Sequence, residues 1–352
     1  MSPSIATKQE ITFILPTRNR RDFVVRALES CLEVSRPGIH IEVLVIDGNS
    51  SDGSWEMLNE RYKDDSRVRI IRQQDSVGFM SACFLALDSI RTEFSTFMYD
   101  DDILSPHWYR LAEARRQSAS GFVMGFGRVN DVHSILNFRE PDRVFALQGS
   151  DLLRSFARVG WSFPPHGLPY SPISCFTRTS TLMLWRDEVR RWSSSSPFRE
   201  HWMMHRNAGP DLMIYLHSCM LERSTIPVLD GVLAQWSAHP DSMTIRFEAD
   251  DIMLGYWLAK AWMCDALVNE ESFALAGACA AGVIKEGERL LRDRMRRKCL
   301  DWGADLAQEI ETLRRRIRNS PASRSFCRTR LIQLLPRSIR TKILSRRVSM
   351  SV

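Results

Sequence analysis

The sequence predicts an α/β fold: a mostly parallel central sheet flanked by helices, followed by a helical C-terminal extension and a basic tail. Three observations carry that expectation. Short apolar runs alternate with amphipathic stretches through the first hundred residues, the pattern of right-handed βαβ crossovers and a parallel sheet. After about residue 246 the pattern becomes wholly helical. Charge is divided as well: Thr312 to Val352 holds 12 Lys/Arg and no Asp/Glu, so a whole-chain net charge of +6 leaves residues 1–311 at −6.

The elements follow in order. ITFIL (11–15) is a strand ended by Pro16, and RDFVVRALESCLEV (21–34) is a helix with Val24, Ala27, Leu28 and Leu32 at helical spacing. IEVLVID (41–47) is the second strand, followed by a Gly/Asn/Ser turn and the helix SWEMLNERY. VRIIR (68–72), GFMSACFLALDSI (78–90) and FSTFMY (94–99) continue the alternation. Ligands of such sheets bind beyond the carboxyl ends of the strands, and every polar cluster of interest stands at one. PTRNR (16–20) follows the first strand, DGNSSDGS (47–54) the second, and Asp100, Asp101 and Asp102 the fourth. The second cluster also reads as turn and cap chemistry, with Gly48 and Asn49 permitting the turn and Ser51 or Asp52 capping the helix. Three adjacent carboxylates repel one another and resist desolvation, which a divalent cation among them reverses. Hard oxygen ligands suit Mg²⁺ or Mn²⁺, which take one or two carboxylates and fill their remaining positions with water and substrate phosphates.

In this order and spacing, PTRNR, VLVIDGNSSDGS and FMYDDDILSP resemble the family 2 glycosyltransferases of GT-A fold, which transfer sugars from nucleoside diphosphates. The resemblance is strong over residues 11 to about 110 and weak to about 245. It implies that Pro16, Thr17 and Arg18 line the nucleoside pocket, that Asp47 accepts a hydrogen bond from the base, and that Asp75, before Gly78, approaches the ribose or base. Asp100 and Asp101 would match the family's ribose and metal carboxylates, with Asp102 the third member; the D-x-D motif reads in two registers here. One departure stands out: Ala82-Cys83-Phe84 occupies the place where many members have Ala-Arg-Asn, so a donor contact made by that arginine is missing.

Inverting sugar transfer also needs a base for the acceptor hydroxyl, usually Asp or Glu. In GPDLMIYLHSCM (209–220), Asp211 heads a helix-like run. It reads either as that base, which the resemblance favours, or as a helix cap. Glu200 and Asp187 are the fallback candidates. In QWSAHPDSMTI (235–245), His239 would ligate the metal or donate to the leaving phosphate; apart from the resemblance it reads as a surface loop residue. The stretch 160–180, rich in Pro and aromatics and too irregular for a strand, suits an acceptor wall with Trp161, His166, Tyr170 and Arg178, or equally a packed connection.

The expected organisation is a GT-A domain over 1–245, with a nucleotide-sugar half to about 130 and an acceptor half after it, a helical extension over 246–318, and a basic amphipathic tail over 319–352. In RTRLIQLLPRSIRTKILSRR (328–347), Ile332, Leu335, Ile339 and Ile343 recur every three or four residues among cations, with Pro336 dividing two short helices. Such a tail suits an anionic membrane surface; a solvated tail and nucleic acid are the rival readings. Nucleic acid is not expected, because the positive charge is confined to the tail. Eight scattered cysteines without a CxxC pair read as buried, reduced thiols. With no signal-like start and no run of about 18 apolar residues, the expected location is the cytoplasm, peripheral on the inner face of the plasma membrane. The implied activity is inverting, metal-dependent transfer from a UDP-sugar to a glycan or lipid-linked acceptor in surface polysaccharide synthesis. A Rossmann dehydrogenase would need GxGxxG after the first strand, which is absent. A Mg²⁺-dependent phosphotransferase would use one aspartate as nucleophile. A degenerate scaffold in a polysaccharide assembly complex is the alternative: the retained Asp47 and triple Asp speak against it, and the missing arginine at Ala82-Cys83-Phe84 leaves it room.

Overall fold

The computed structural model describes residues 9–74, 78–158, 172–242, 249–296 and 302–334. They fall into two compact units, one of residues up to 152 and from 172 to 256, the other of 153–158 and the residues from 257.

The first unit is built on a nine-stranded sheet. Strands β1 (Gln9–Thr17), β2 (Ile39–Asp47), β3 (Val68–Arg72) and β4 (Phe94–Phe97) lie in the order β3-β2-β1-β4, all parallel. Helices α1 (Arg21–Glu33), α2 (Ser54–Tyr62) and α3 (Phe79–Ser89) make the crossovers. A parallel sheet covered on both faces needs strands apolar on both, and β1, β2 and β4 are buried almost throughout. Phe13, Leu15, Val43 and Val45 share one core with Val24, Ala27, Leu28 and Cys31 of α1. Those four α1 positions recur at three and four residues, the stripe that turns one helical face to a sheet.

Beyond β4 the sheet is mixed. Strand β8 (Cys175–Arg178) runs antiparallel to β4 and to β6 (Phe122–Asp131). Strand β9 (Ile226–Ala238) is parallel to β6 and antiparallel to β5 (Ile103–Leu104) and β7 (Val144–Leu147). The stretch expected to be too irregular for a strand therefore ends as one, in the middle of the sheet. Residues 159–171 lie outside the described residues, but Pro172–Ser174 form a 3₁₀ turn leading straight into β8. Four residues are too few for alternation to register beside so many prolines. Helices α4 (Tyr109–Arg116), α5 (Gly149–Phe156), α6 (Thr179–Ser193), α7 (Pro197–Glu200) and α8 (Pro210–Leu221) complete the α/β pattern.

Strand register gathers the polar loops. Thr17 pairs with Asp47 at the last position of β1 and β2, and Ile14 with Phe97 at the end of β4. Backbone bonds tie the exits together: Gly48 N–H donates to the Thr17 carbonyl at 2.8 Å, Gln73 N–H to that of Asp47 at 2.8 Å, and Met98 N–H to that of Ile14 at 2.7 Å. Strand β9 runs in the same sense as β1, so its carboxyl end brings 236–239 to the same edge.

The second unit is helical. It takes the later turns of α9 (Ala249–Asn269), then α10 (Phe273–Arg296), α11 (Gly303–Arg318) and α12 (Ser323–Leu334). Lys260 and Glu286, each 2% exposed, pair through both carboxylate oxygens at 2.8 and 3.0 Å. Leu306, Ile310, Leu313 and Ile317 bury the apolar stripe of α11. The beginning of the basic stretch thus spends its apolar face inside the protein, and three of its four arginines are paired: Arg314 with Glu288 and Glu311, Arg316 with Asp265, Arg318 with Glu311. Residues 335–352, with Leu335, Pro336, Ile339 and Ile343, lie outside the described residues. No described helix is long and apolar enough to cross a membrane. The described cysteines are unbonded and, except for Cys327, buried; Cys299 lies outside the described residues.

Candidate active site

At the carboxyl edge of the sheet the first unit opens into a cavity of about 590 Å³, a size suited to a small-molecule ligand. Pro16, Thr17, Arg18 and Arg20 line it from β1 and its loop, Gly48 from the second loop, Gln73 and Gly78 from the third, and Asp100, Asp101 and Asp102 from the fourth. Asp211 enters from the head of α8, and Trp236 and Ser237 from the end of β9. The motifs singled out in the sequence converge on one space.

At one end, Asp47 is fully buried directly behind the wall. Its Oδ2 accepts from Ser50 N–H at 3.0 Å and faces Arg72 Nε at 3.6 Å, while Oδ1 is buried without a hydrogen-bond partner. The adjacent Gln73 likewise has a buried side-chain oxygen, Oε1, without a partner. Such atoms cost free energy unless something arrives to bond them. Asn49 takes the left-handed conformation at φ 61° that its turn requires. Asp52 accepts from Ser54 N–H at 3.0 Å and from Arg21 N–H at 3.1 Å, so it serves the heads of two helices. Asp75 lies outside the described residues.

In the middle, the three aspartates are held by different hands. Asp100 lies 3.9 Å from Arg20 Nε. Asp101 Oδ2 is 2.9 Å from His239 Nε2, whose ring stacks on Phe23 at 4.9 Å, and the Asp101 carbonyl accepts from Arg26 of α1 at 3.2 Å. Asp102 Oδ1 accepts from Ser237 N–H at 2.8 Å. Burial, then repulsion from Asp101, lifts the Asp100 carboxyl to about 7 against the pull of Thr17 and Arg20. The same two causes hold Asp102 well above the usual carboxylate range. Among the described residues no group of three or more His, Cys, Asp or Glu could hold a metal by itself. The donor set nevertheless fits a hard divalent ion of the kind that takes one or two carboxylates and completes its shell with water and phosphate oxygens. Asp100 and Asp101 line the cavity, and the repulsion between them is what such an ion relieves.

At the other end, Gly209 at φ 101° and Pro210 open α8, placing Asp211 in the first turn. Trp185 Nε1 pins this start by donating to the Pro210 carbonyl at 2.8 Å. Asp211 Oδ1 is buried without a hydrogen-bond partner. Burial raises its carboxyl to about 6, opposed by the Leu212 N–H and by a hydrogen bond with Tyr256 of α9. The fallback candidates do not reach the cavity: Asp187 pairs with Arg186 at 3.2 Å, and Glu200 is exposed. Nor does Arg178, which pairs with Glu93 at 2.5 Å and lies against the Phe94 ring. Trp161, His166 and Tyr170 lie outside the described residues.

Among the lining residues to which the sequence reading assigned no role, four bear directly on the chemistry of the site. Arg20 belongs to a quoted motif but received no role. Asn207, at φ 54° with a buried Oδ1 lacking a partner, could have been suspected from its place before Gly209-Pro210. Trp236 adjoins the His239 loop; its ring fills the space a Cβ on Gly127 would need, 2.4 Å away. Tyr256 carried no local signal.

Residues 12–155 match the model of the family described as Glycosyl transferase family 2. That part of the chain is similar to a family 2 glycosyltransferase domain. Over 95 residues, 27% of this chain and 37% of the relative, the chain is 28% identical to the putative teichuronic acid biosynthesis glycosyltransferase TuaG of Bacillus subtilis. Over 119 residues, 34% of this chain and 37% of the relative, it is 29% identical to the GalNAc(5)-diNAcBac-PP-undecaprenol beta-1,3-glucosyltransferase of Campylobacter jejuni. The matched segment thus covers just over a third of the length of these curated relatives. The crystal structure of S. aureus TarS 1-349 in complex with UDP-GlcNAc superposes with a TM-score of 0.50 at 14% identity, covering 86% of this chain and 92% of that one. The fold is that of a GT-A glycosyltransferase.

Proposed function

We propose that this domain transfers a sugar, with inversion, from a uridine diphosphate donor to a glycan or lipid-linked acceptor in the synthesis of a surface polysaccharide, with Mn²⁺ or Mg²⁺ as cofactor. The observation that carries the reading is the meeting in one cavity of the nucleotide-side loops, the acidic cluster and Asp211. The polysaccharide context follows what the printed names of the relatives say of those proteins, and the nucleotide-sugar donor follows the ligand of the TarS complex.

The uracil N3–H would bond the unpartnered Asp47 Oδ1, with Thr17, Arg18 and Gly48 around the nucleoside. Asp100 and Asp101 are the residues that would hold the ion, which supplies positive charge to a departing diphosphate, with His239 held against Asp101 and Asp102 against the Ser237 N–H beside them. Arg20 would add a fixed cation beside them. Asp211 would take the proton of the acceptor hydroxyl on its free Oδ1, and the apolar wall around it would keep water from competing for the donor. The basic tail would bring the enzyme to an anionic membrane surface where a lipid-linked acceptor lies. Calorimetric titration of UDP, GDP, dTDP and CMP, with and without Mn²⁺, into the wild type and Asp101→Ala tests the donor site. UDP binding that needs Mn²⁺ and disappears in Asp101→Ala is expected. No binding of any of the four, under either condition, would leave the reading without its substrate.

A further inference from the structure

Around Asp211 the cavity wall changes character. Helix α3 contributes Met80, Ala82 and Cys83, β4 contributes Phe97, α6 contributes Trp185 and α8 contributes Ile214. Ile214 lies three residues after Asp211, one turn along the same face of α8. The apolar wall therefore adjoins the group proposed to receive the acceptor proton, and this is where the transferred sugar would sit. The departure at Ala82-Cys83-Phe84 falls in this wall. A hexose with a hydroxyl at every position wants a polar partner at each, and with the Trp185 Nε1–H spent on the Pro210 carbonyl these six side chains leave only the weak Cys83 thiol.

Polar groups also border this space: the Tyr99 and Tyr256 side chains, Asp211 itself, and Asn207. Asn207 lines the cavity, and its Oδ1 is buried without a hydrogen-bond partner among the described residues. Its backbone takes φ 54°, four residues before Asp211, and two residues on Gly209 packs so closely on the Gly255 carbonyl that a Cβ there would lie 2.3 Å away. A buried amide oxygen held rigidly against an apolar wall matches a ligand that joins an N–H to a methyl group.

We infer that the sugar subsite takes an acetamido sugar, whose N–H donates to Asn207 Oδ1 and whose methyl group rests on the wall formed by Met80, Cys83 and Ile214. The pairing holds for either orientation of the side-chain amide, because Nδ2 would donate to the acetamido carbonyl as readily. This rests on the donor-site reading above, and its test separates the two. UDP alone, UDP-glucose against UDP-N-acetylglucosamine, and UDP-galactose against UDP-N-acetylgalactosamine are titrated with Mn²⁺ into the full chain. Within each pair only the acetamido group differs. The acetamido member of at least one pair is expected to bind about tenfold more tightly or better, the discrimination a small apolar pocket with one hydrogen bond gives. Asn207→Gly keeps the left-handed backbone and deletes the amide, and is expected to bring that ratio close to one. If UDP binds but neither pair is separated, or if Asn207→Gly leaves the ratio intact, the acetamido assignment is overturned while the donor site stands. If UDP itself does not bind, both fall.

Discussion

Asp211 and Tyr256 make one chemical unit from two distant parts of the chain. A base must be ionised to accept a proton, and burial holds the Asp211 carboxyl near 6. The transfer rate at saturating Mn²⁺ is therefore expected to rise with pH through about 6 and to level off above it. Asp211→Asn removes the base and should lower turnover by about 10²- to 10⁴-fold while leaving donor binding in calorimetry intact; an equally active variant would take the base role from this residue. The Tyr256 hydroxyl favours the charged carboxylate, so deleting it raises the Asp211 pKa, and in Tyr256→Phe the acid limb of the pH profile should move to higher pH. A merely structural tyrosine would lower the plateau without moving the limb. Nothing near Tyr256 in the sequence announces this, since an aromatic in an apolar helix is ordinarily core. Asp211 was legible because a Gly-Pro pair ahead of an apolar run marks a helix start, where a carboxylate serves either as cap or as base.

At the scale of elements, legibility followed agreement between period and punctuation. The runs ITFIL and IEVLVID end at Pro16 and at Asp47-Gly48, and the structure ends β1 at Thr17 and β2 at Asp47. The helix RDFVVRALESCLEV is α1 within a residue of its expected end. Strand β8 was missed because its four residues gain their place from β4 and β6 rather than from a pattern of their own. The junction between α8 and the start of α9 was equally invisible, being made by backbone rather than side chains. Gly209 and Gly255 touch so closely that a Cβ on Gly209 would lie 2.3 Å from the Gly255 carbonyl, and one on Gly255 would lie 2.4 Å from the Ala208 Cβ. Gly209→Ala adds this clash to a positive φ of 101°, a strain of about 1–3 kcal/mol before any clash. Thermal unfolding should shift down by several degrees, about 2–4 °C per kcal/mol for a chain of this size. Because Asn207 and Asp211 flank the glycine, turnover should fall further than stability alone explains, as measured well below the new Tm. A variant with unchanged Tm would mean that the two backbones part at little cost.

For the whole molecule, the division of charge is the feature that composition alone conceals. A body at −6 is repelled by an anionic bilayer, and a tail at +12 is drawn to one. The structure narrows which cations remain available. Arg314, Arg316 and Arg318 are occupied with acidic partners inside the helical unit, and the apolar stripe of α11 is buried there. Attraction to a membrane therefore falls to Arg315, Arg324, Arg328 and Arg330, exposed on the described helices, and to the residues after α12, where Arg337, Arg340, Lys342, Arg346 and Arg347 alternate with Ile339 and Ile343. At about 1 kcal/mol for each cation near an anionic surface, the last five suffice for measurable adsorption. The chain is expected to cosediment with phosphatidylglycerol vesicles at low salt and to be released at about 1 M, where the Debye length shrinks to about 3 Å. Deleting residues 335–352 should largely abolish cosedimentation while leaving UDP binding as it was, because the described lining of the cavity comes from residues 16–256. If the shortened chain still sediments with the vesicles, the membrane-facing surface lies in the folded body and the tail serves another purpose.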